Sequence, residues 1–328
     1  MKKYQAKSPC CLAKVNHFGS RRRQCIICKK TWRIRKKKTG RKRKKVSTDL
    51  VKSFFKHEIP SMAYISQKKS VSDTCIQTTM TKSRDLLTKM TPWQNTPAGN
   101  LIMIADAVVE MIEGKWLTVY IMLVRNTSDS IAVILPPLIL YGGESPQGWH
   151  GAFLSIDRAI MARIKAVVCD GHRGILLEAH DRNWIVQRCH FHLLARIQSR
   201  RSRFATARNK EEARKIFYHV QNVLKSGDEK EIRESLNLLE EIGWRSTSKE
   251  IRTVLNGFRT NYKDYRSYLT SPELNLPTTS NAAESLASMI GYLKIRMRGF
   301  PTMNSFVKWI IALLKFRQTI QCNKYQPR

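Results

Sequence analysis

Three acidic residues, far apart in the chain, have the surroundings expected of ligands for divalent cations. Asp106 interrupts the apolar run 101–109, which is typical of a buried strand, and a buried carboxylate is costly without a cation beside it. Asp170 ends the apolar run 165–169, and Glu284 lies near the start of an amphipathic helix. Because Mg²⁺ and Mn²⁺ prefer carboxylate oxygens, the three acids are candidates for holding two such ions. Each acid alone also has an ordinary interpretation as a turn cap or a helix-dipole partner.

The elements around these acids predict a mixed sheet. Strands are predicted at 101–109, 116–125, 131–141, 165–170 and 184–187, with a loop over 142–151 and a helix over 152–164. The ribonuclease-H-like order consists of three strands joined by hairpins, then a helix, then two more strands. In that order the first and fourth strands are neighbours in the sheet. Asp106 and Asp170 should therefore meet at one edge of the sheet, and Glu284 should reach them from a helix that crosses it.

The charge of the chain predicts a polyanionic partner. Lysine and arginine number 59 against 25 acidic residues, giving a formal net charge of +34, which folding does not require. A hydrophobic content of 42% excludes a disordered chain, and no apolar run reaches the roughly 18 residues of a membrane span. No glycine-rich nucleotide loop is present, so no nucleotide cofactor is expected. The cysteine distribution is unlike a secreted disulfide framework and favours a reducing, intracellular compartment.

The first 45 residues form a basic segment with a cysteine pattern. They hold 19 lysine or arginine residues and no acid. Cys25 and Cys28 form a Cys-x-x-Cys turn, whereas the upstream sequence Ser-Pro-Cys-Cys (residues 8–11) has a serine where a ribbon would have a thiolate. Tetrahedral zinc needs four soft ligands, which predicts a zinc ribbon over 1–40 that binds Zn²⁺. The alternative is a basic arm with unligated thiols. The ligand set predicted is Cys11, Cys25 and Cys28, with Cys10, or else His17, as the fourth.

Residues 41–92 predict a helix-turn-helix domain that follows a basic linker at 36–45. Helices are expected at 49–55, at 61–66 and, after a turn at 70–73, at 74–90. The third helix would then lie in the major groove of DNA, although any three-helix packing unit would look similar. The residues predicted to contact DNA, here and elsewhere in the chain, are Arg21, Arg22, Arg23, Lys42, Arg43, Gln77, Lys82, Arg84, Arg173, Arg296 and Arg298.

Two blocks of the sequence resemble bacterial Mutator-type DDE transposases. One is VVCDGHRGILLEAHDRNWIVQRCHFHL (residues 167–193), and the other is Asn-Ala-Ala-Glu at 281–284, followed by RMRGF at 296–300. The resemblance covers roughly 95–315 and assigns the catalytic Asp, Asp and Glu, with two Mg²⁺ or Mn²⁺ ions, to Asp106, Asp170 and Glu284. It implies an α/β, ribonuclease-H-like core over 93–192 and 276–328, with an all-helical insertion domain at 193–275.

The resemblance also covers a Cys-x-x-His motif, here Cys189 and His192. As zinc ligands this pair would need two more partners, and none is obvious downstream, so a structural or end-positioning role is favoured. Trp244, in the expected insertion, would either anchor its core or prop an extruded base, and the core is the preferred interpretation.

The function expected is that of an insertion-sequence DDE transposase. It would bind double-stranded DNA, both the terminal repeats of the transposon and the target, and catalyse metal-dependent cleavage and strand transfer as a homo-oligomer. A bacterial, cytoplasmic and nucleoid-associated location is expected. Two alternatives stay open: a ribonuclease-H-like nuclease that cuts without joining, and an inactive, transposase-derived DNA-binding regulator.

Overall fold

The computed structural model describes residues 7–18, 22–33, 47–61, 64–65, 67, 72–198 and 207–322. These residues belong to two compact units, Met1–Lys45 and Val46–Arg328. Arg21, Lys42 and Arg43 lie outside the described residues, as does much of the helix expected at 61–66. None of the described helices is both long enough and apolar enough to cross a bilayer.

The N-terminal unit contains a three-stranded antiparallel sheet in the order β1-β2-β3. The strands are β1 (Val15–His17), β2 (Arg22–Cys25) and β3 (Thr31–Arg33). The turn between β2 and β3 carries the Cys-x-x-Cys sequence, and Lys29 adopts a positive φ of 61° there. The strands therefore present the cysteines of this turn at one end of a small, zinc-ribbon-like sheet.

The larger unit is built on a seven-stranded mixed sheet. Its strands are β4 (Leu101–Ile112), β5 (Lys115–Asn126), β6 (Ile131–Ile134), β7 (Leu138–Tyr141), β8 (Ile164–Cys169), β9 (Ile185–Arg188) and β10 (Thr319–Gln321). The order is β10-β6-β5-β4-β8-β9, with β7 also paired to β5. β4 runs antiparallel to β5 and parallel to β8, which in turn runs parallel to β9. The prediction of a mixed α/β architecture is confirmed.

The region between β5 and β8 differs from its prediction in three places. The single strand expected at 131–141 is two strands, because Pro136 and Pro137 have no N–H to donate to a sheet. The loop expected at 142–151 contains most of helix α3 (Pro146–Leu154), which Ser145 caps by accepting a hydrogen bond from the N–H of Gly148 at 3.0 Å. The helix expected at 152–164 is interrupted, since Asp157 caps a separate short helix, α4 (Arg158–Met161).

Helices cover both faces of the central sheet. Alternate residues of β4, such as Ile102 and Ile104, pack in one core cluster, while Met103 and Ala105 pack in the other. Because both faces are buried, β4 is a continuous apolar run rather than an alternating one. The helices of the two layers are α3 with α5 (Arg173–Asp181) on one side, and α12 (Asn281–Arg296) with α13 (Met303–Arg317) on the other.

The segment predicted as a helix-turn-helix packs on the C-terminal helix. Helices α1 (Asp49–Phe55) and α2 (Asp73–Met90) both contact α13. Phe54 and Phe55 lie edge-on to Trp309, with ring centroids 6.1 and 5.9 Å from the indole. α1 and α2 therefore share a core with α12 and α13.

Helices also form a separate core between β9 and α12. It contains α6 (His190–Gln198), α7 (Ala207–Lys225), α8 (Glu229–Arg245) and α9 (Lys249–Thr260), followed by the short helices α10 (Tyr262–Tyr265) and α11 (Ser267–Thr270). Trp244 is 80% exposed on α8, so the preferred interpretation of this residue as a core anchor is wrong.

Two arginines predicted to contact DNA are buried instead. Arg84 is only 3% exposed, pairs with Asp85 at 2.5 Å and lies over the ring of Trp309. Arg296 is 9% exposed, lies 4.0 Å from the ring centroid of Phe54, and donates to carbonyl oxygens at the end of α1 and in the chain that follows it. An arginine in a polar sequence is normally a surface residue, but here both guanidinium groups are used inside the fold. The predicted phosphate contacts of Arg84 and Arg296 are therefore wrong, because both side chains pack inside the fold.

Replacing Arg296 with methionine is expected to destabilise the larger unit by about 2–4 kcal/mol. The guanidinium of Arg296 donates hydrogen bonds to the carbonyl oxygens of Phe54, Ile59 and Pro60. An apolar side chain would remove these hydrogen bonds from the three oxygens. Urea denaturation of the two proteins measures the change. Arg298→Met is the matched control, since Arg298 is exposed and its loss should change stability by less than about 0.5 kcal/mol. Equal midpoints for the two variants would contradict this expectation.

Candidate metal centre

The pairing of β4 with β8 brings Asp106 beside Asp170. These strands are parallel, and Ile104 is the register partner of Val168. Two residues further on, Asp106 within β4 is level with Asp170 directly after β8, and the period of two places both on the same face of the sheet. The sequence expectation that these two carboxylates meet at one edge agrees with this register.

Local backbone hydrogen bonds hold both aspartates. The N–H of Ala107 donates to Asp106 Oδ1 at 2.8 Å, and the N–H of His172 donates to Asp170 Oδ1 at 2.8 Å. The second bond closes a tight turn through Gly171, whose φ is +95°. Both carboxylates therefore have a fixed orientation before any ligand arrives.

Glu284 is presented by the first turn of α12, which packs against β4. Ser280 Oγ donates to Glu284 Oε1 at 3.0 Å, and the N–H of Ser280 points to the sulfur of Cys189 at 3.3 Å. Cys189 Sγ is also 3.6 Å from Glu284 Oε1. The start of α12 is thus attached to the end of β9 through Cys189, and this attachment positions Glu284.

His192 is the cation of this cluster. Its Nδ1 lies 3.5 Å from Glu284 Oε1, an ion-pair separation without hydrogen-bond geometry. A hydrogen bond with Cys189, together with the charges of Asp106 and Glu284, raises the pKa of His192 to about 9 against the opposing effect of burial. The imidazole is therefore protonated at neutral pH and partly offsets the carboxylates around it.

The carboxylates repel one another across a partly buried space. Burial and, more weakly, the charges of Asp170 and Glu284 raise the pKa of Asp106 to about 7, against the opposing effects of His192 and the N–H of Ala107. A buried carboxyl with a raised pKa beside two other acids is a site that gains free energy when a cation enters. The donor set, all carboxylate oxygen, is that of Mg²⁺ or Mn²⁺.

The ligand atoms of the three acids do not all lie within 4.8 Å of one another. Among the described residues, only two groups have their ligand atoms within 4.8 Å of one another: the four N-terminal cysteines, and Cys189 with His192 and Glu284. Asp106, Asp170 and Glu284 do not form such a group, although they interact electrostatically. Two ions about 4 Å apart, each about 2 Å from its oxygens, need carboxylates up to about 8 Å apart.

We expect Asp106→Asn to stabilise the metal-free protein at high pH. Because the pKa of Asp106 is raised in the folded state, ionisation of this carboxyl destabilises the folded protein. The destabilisation begins above pH about 4 and is complete above pH about 7. Asparagine keeps the acceptor for Ala107 and removes the charge, for a gain on the order of 3 kcal/mol at pH 8 in EDTA. The gain should shrink towards pH 4. Thermal melts at several pH values measure it, and a gain independent of pH would contradict the expectation.

Sequence reasoning missed Arg188, which lies beside the metal centre. It ends β9, is paired with Cys169, and lines a cleft of about 320 Å³ together with Asp170 and His192. Its position directly before the Cys-x-x-His motif was the only signal for it in the sequence.

The other predicted DNA contacts have varied surroundings. Gln77 and Arg298 border one cleft between the start of α2 and the turn after α12. Arg23, on β2, is partly buried. The predicted contacts whose side chains are exposed are Arg22, Gln77, Lys82, Arg173 and Arg298. Their contacts with DNA stay predictions.

The four N-terminal cysteines lie together. The sulfurs of Cys10, Cys11, Cys25 and Cys28 are all within 4.8 Å of one another, and His17 is not part of the group. A hydrogen bond with Ser8 and the backbone N–H of Cys28 lower the pKa of Cys25 to about 6. Four thiol sulfurs in one cluster, one of them readily ionised, fit tetrahedral zinc.

The buried Ser8 explains the unusual Ser-Pro-Cys-Cys sequence. Its side chain is fully buried, accepts a hydrogen bond from the N–H of Ala13 at 3.1 Å, and lies 3.3 Å from the sulfur of Cys25. A serine thus occupies the expected thiolate position as a structural hydroxyl, while Cys10 joins the cluster.

Comparison with known proteins identifies the family of the chain. The model of the family described as "Transposase, Mutator family" matches residues 88–319, which include all three acids and the Cys-x-x-His motif. A search of curated proteins found no significant match. Because the family match spans well over half of a chain that already carries these acids on neighbouring elements, the protein belongs to the Mutator family of transposases.

Proposed function

We propose that this transposase binds the ends of its element and catalyses metal-dependent cleavage and strand transfer. The observation that carries the proposal is the meeting of Asp106 and Asp170 on paired parallel strands, with Glu284 presented by a helix across them. The strand order β6-β5-β4-β8-β9 supports a ribonuclease-H-like core. Membership of a transposase family makes DNA the substrate, and the charge of +34 suits it.

The three carboxylates would hold two Mg²⁺ or Mn²⁺ ions. When bound, such ions lower the pKa of an attacking hydroxyl and stabilise the leaving oxygen of an in-line displacement at phosphorus. The chain contributes the orientation of the acids, through the N–H groups of Ala107 and His172 and the hydroxyl of Ser280. His192 holds a proton beside Glu284 and balances the charge of the cluster. No covalent intermediate with the protein is required.

The basic N-terminal unit would add affinity for DNA. Its described cysteines fit a Zn²⁺ ion, and its arginine-rich strands would contact phosphates without reading sequence. Helix α2, which exposes Gln77 and Lys82, is the proposed reader of base edges. Two transposon ends must be processed together, so we propose that the protein acts as a homo-oligomer.

An assay with pre-cleaved ends distinguishes this proposal from its alternatives. The wild-type protein is incubated with Mn²⁺, a target plasmid and duplexes that carry the element's own terminal sequence with a free 3′-hydroxyl. Joined products are expected, and they would exclude both alternatives. Nicked but never joined DNA would indicate a nuclease, and binding without either product would indicate an inactive regulator.

A further inference from the structure

We infer that Arg188 binds a phosphate of the DNA strand at the metal centre, in the cleft between the core sheet and helix α9. The inference rests on the proposed function and adds a substrate-contacting residue to it. Three features of the fold support it: the close neighbours of the Arg188 guanidinium, the charged residues of the cleft, and an exposed glycine on the wall opposite Arg188.

The guanidinium of Arg188 is confined between two neighbours. Its Nη2 donates to the carbonyl oxygen of Gly171 at 3.2 Å, and its carbon lies 5.5 Å from the ring centroid of Tyr265. A Cβ at position 171 would come within 2.4 Å of Nη2 and 2.5 Å of Nε, so a side chain there would displace the guanidinium from this position. The residue after Asp170 is therefore glycine for two reasons, its φ of +95° and the space that Arg188 takes.

This confinement leaves a donor without an acceptor. Arg188 Nε is buried and has no hydrogen-bond partner among the described residues. A buried N–H without an acceptor costs free energy, and the cost is higher for a charged group. The guanidinium fork matches phosphate oxygens, which it can contact with two parallel N–H groups.

The cleft around Arg188 favours an anion. The arginines on its wall are Arg188 and Arg196, whereas Asp170 is its acid. Asp264 lies close enough for the charge of Arg188 to lower its pKa, but burial raises that pKa more strongly. Within the described part of the chain, no ion pair shorter than 4.0 Å joins Arg188 to a carboxylate. A phosphodiester would therefore meet the unpaired guanidinium of Arg188 next to the acids proposed to hold the metal ions.

Helix α9 forms the opposite wall of the cleft and exposes a glycine there. Thr253, Gly257 and Asn261 line the cleft at intervals of four residues. No atom of the described chain lies within 4 Å of a Cβ placed on Gly257, so internal packing does not require glycine there. Glycine in a helix interior is unfavourable relative to alanine. A DNA backbone that approaches α9 closely would account for it.

The test uses binding, which does not depend on turnover. The full chain binds a duplex of the element's terminal sequence in Ca²⁺, and one phosphate at a time around the cleavage position is replaced by a neutral methylphosphonate. For the wild type, one position should weaken binding by about 10-fold to 100-fold. Arg188→Gln should bind more weakly but lose that sensitivity, and Arg188→Lys should keep part of it. Arg158→Gln, which removes the same charge from an exposed site outside the cleft, should match the wild type.

An Arg188→Gln protein with the same methylphosphonate profile as the wild type would overturn the inference. If this variant does not fold, Gly257→Ala provides the test instead, and it should raise the melting temperature and weaken DNA binding. Gly291→Ala, at another helical glycine with free space around it, is the control and should not weaken DNA binding. Unchanged binding by Gly257→Ala would then reject a strand in the cleft. Failure of the wild type to join DNA ends would count against the proposed function and leave these binding results valid.

Discussion

Replacing Asp170 with asparagine is expected to lower strand transfer by about 10³-fold or more while DNA binding persists. A bound metal ion contributes several kcal/mol to the stabilisation of charge in the transition state, and each 1.36 kcal/mol is a factor of ten in rate. Asparagine accepts the N–H of His172 as aspartate does, so the turn at Gly171 should survive. The loss should therefore appear in the rate of joining and in the binding of Mn²⁺, rather than in the stability of the protein.

A cysteine at the same position tests whether Asp170 touches the metal. Asp170→Cys should be inactive with Mg²⁺, which prefers oxygen ligands, and should regain part of its activity with Mn²⁺ or Cd²⁺, which tolerate or prefer sulfur. Asp181→Asn, a change in an exposed acid on α5, is the matched control and should have normal activity. If Asp170→Asn joins DNA ends at the wild-type rate, the three acids are not the metal ligands and the proposed mechanism is wrong.

The strands and the aspartate register followed from the sequence because they depend on local patterns. Continuous apolar runs marked β4, β5 and β8, and the order of elements placed Asp106 next to Asp170. The proline pair in 131–141 and the Ser-Pro cap before α3 were also visible in the sequence, so those two errors were avoidable. Element types could be predicted since each depends on a few neighbouring residues.

Contacts between distant segments were not predictable in the same way. Arg296 and Arg84 have the sequence surroundings of surface arginines, yet their guanidinium groups are buried against α1 and α13. The links from Cys189 to Ser280 and Glu284 join residues about ninety positions apart. Trp244 shows the reverse case, since a large aromatic in a helical segment is normally buried but here is exposed. These outcomes depend on which helix packs against which, information that one sequence does not contain.

Removal of zinc is expected to unfold the N-terminal unit and weaken DNA binding strongly. A three-stranded sheet with 3- and 4-residue strands has little core of its own, and among its described hydrophobic side chains the buried one is Cys25. In such small units the free energy of metal binding is the free energy of folding. A chelator should therefore release one Zn²⁺ per chain and abolish the contribution of this unit to DNA affinity, with the larger unit still folded.

Cys25→Ser gives the same test without a chelator. Cys25 is the buried member of the cluster and its pKa is lowered to about 6, so its loss should remove the metal. Because the N-terminal unit would then lose several phosphate contacts, the affinity for DNA at moderate salt should fall by at least about tenfold. Cys75→Ser changes an exposed thiol on α2 outside the cluster and should keep both zinc and affinity. Metal analysis of the purified proteins and a salt titration of DNA binding provide the measurements.

Because lost phosphate contacts reduce counterion release, the slope of log affinity against log salt should become shallower for Cys25→Ser. Wild-type protein that contains no zinc, together with an unchanged slope for Cys25→Ser, would show that the four sulfurs meet for another reason.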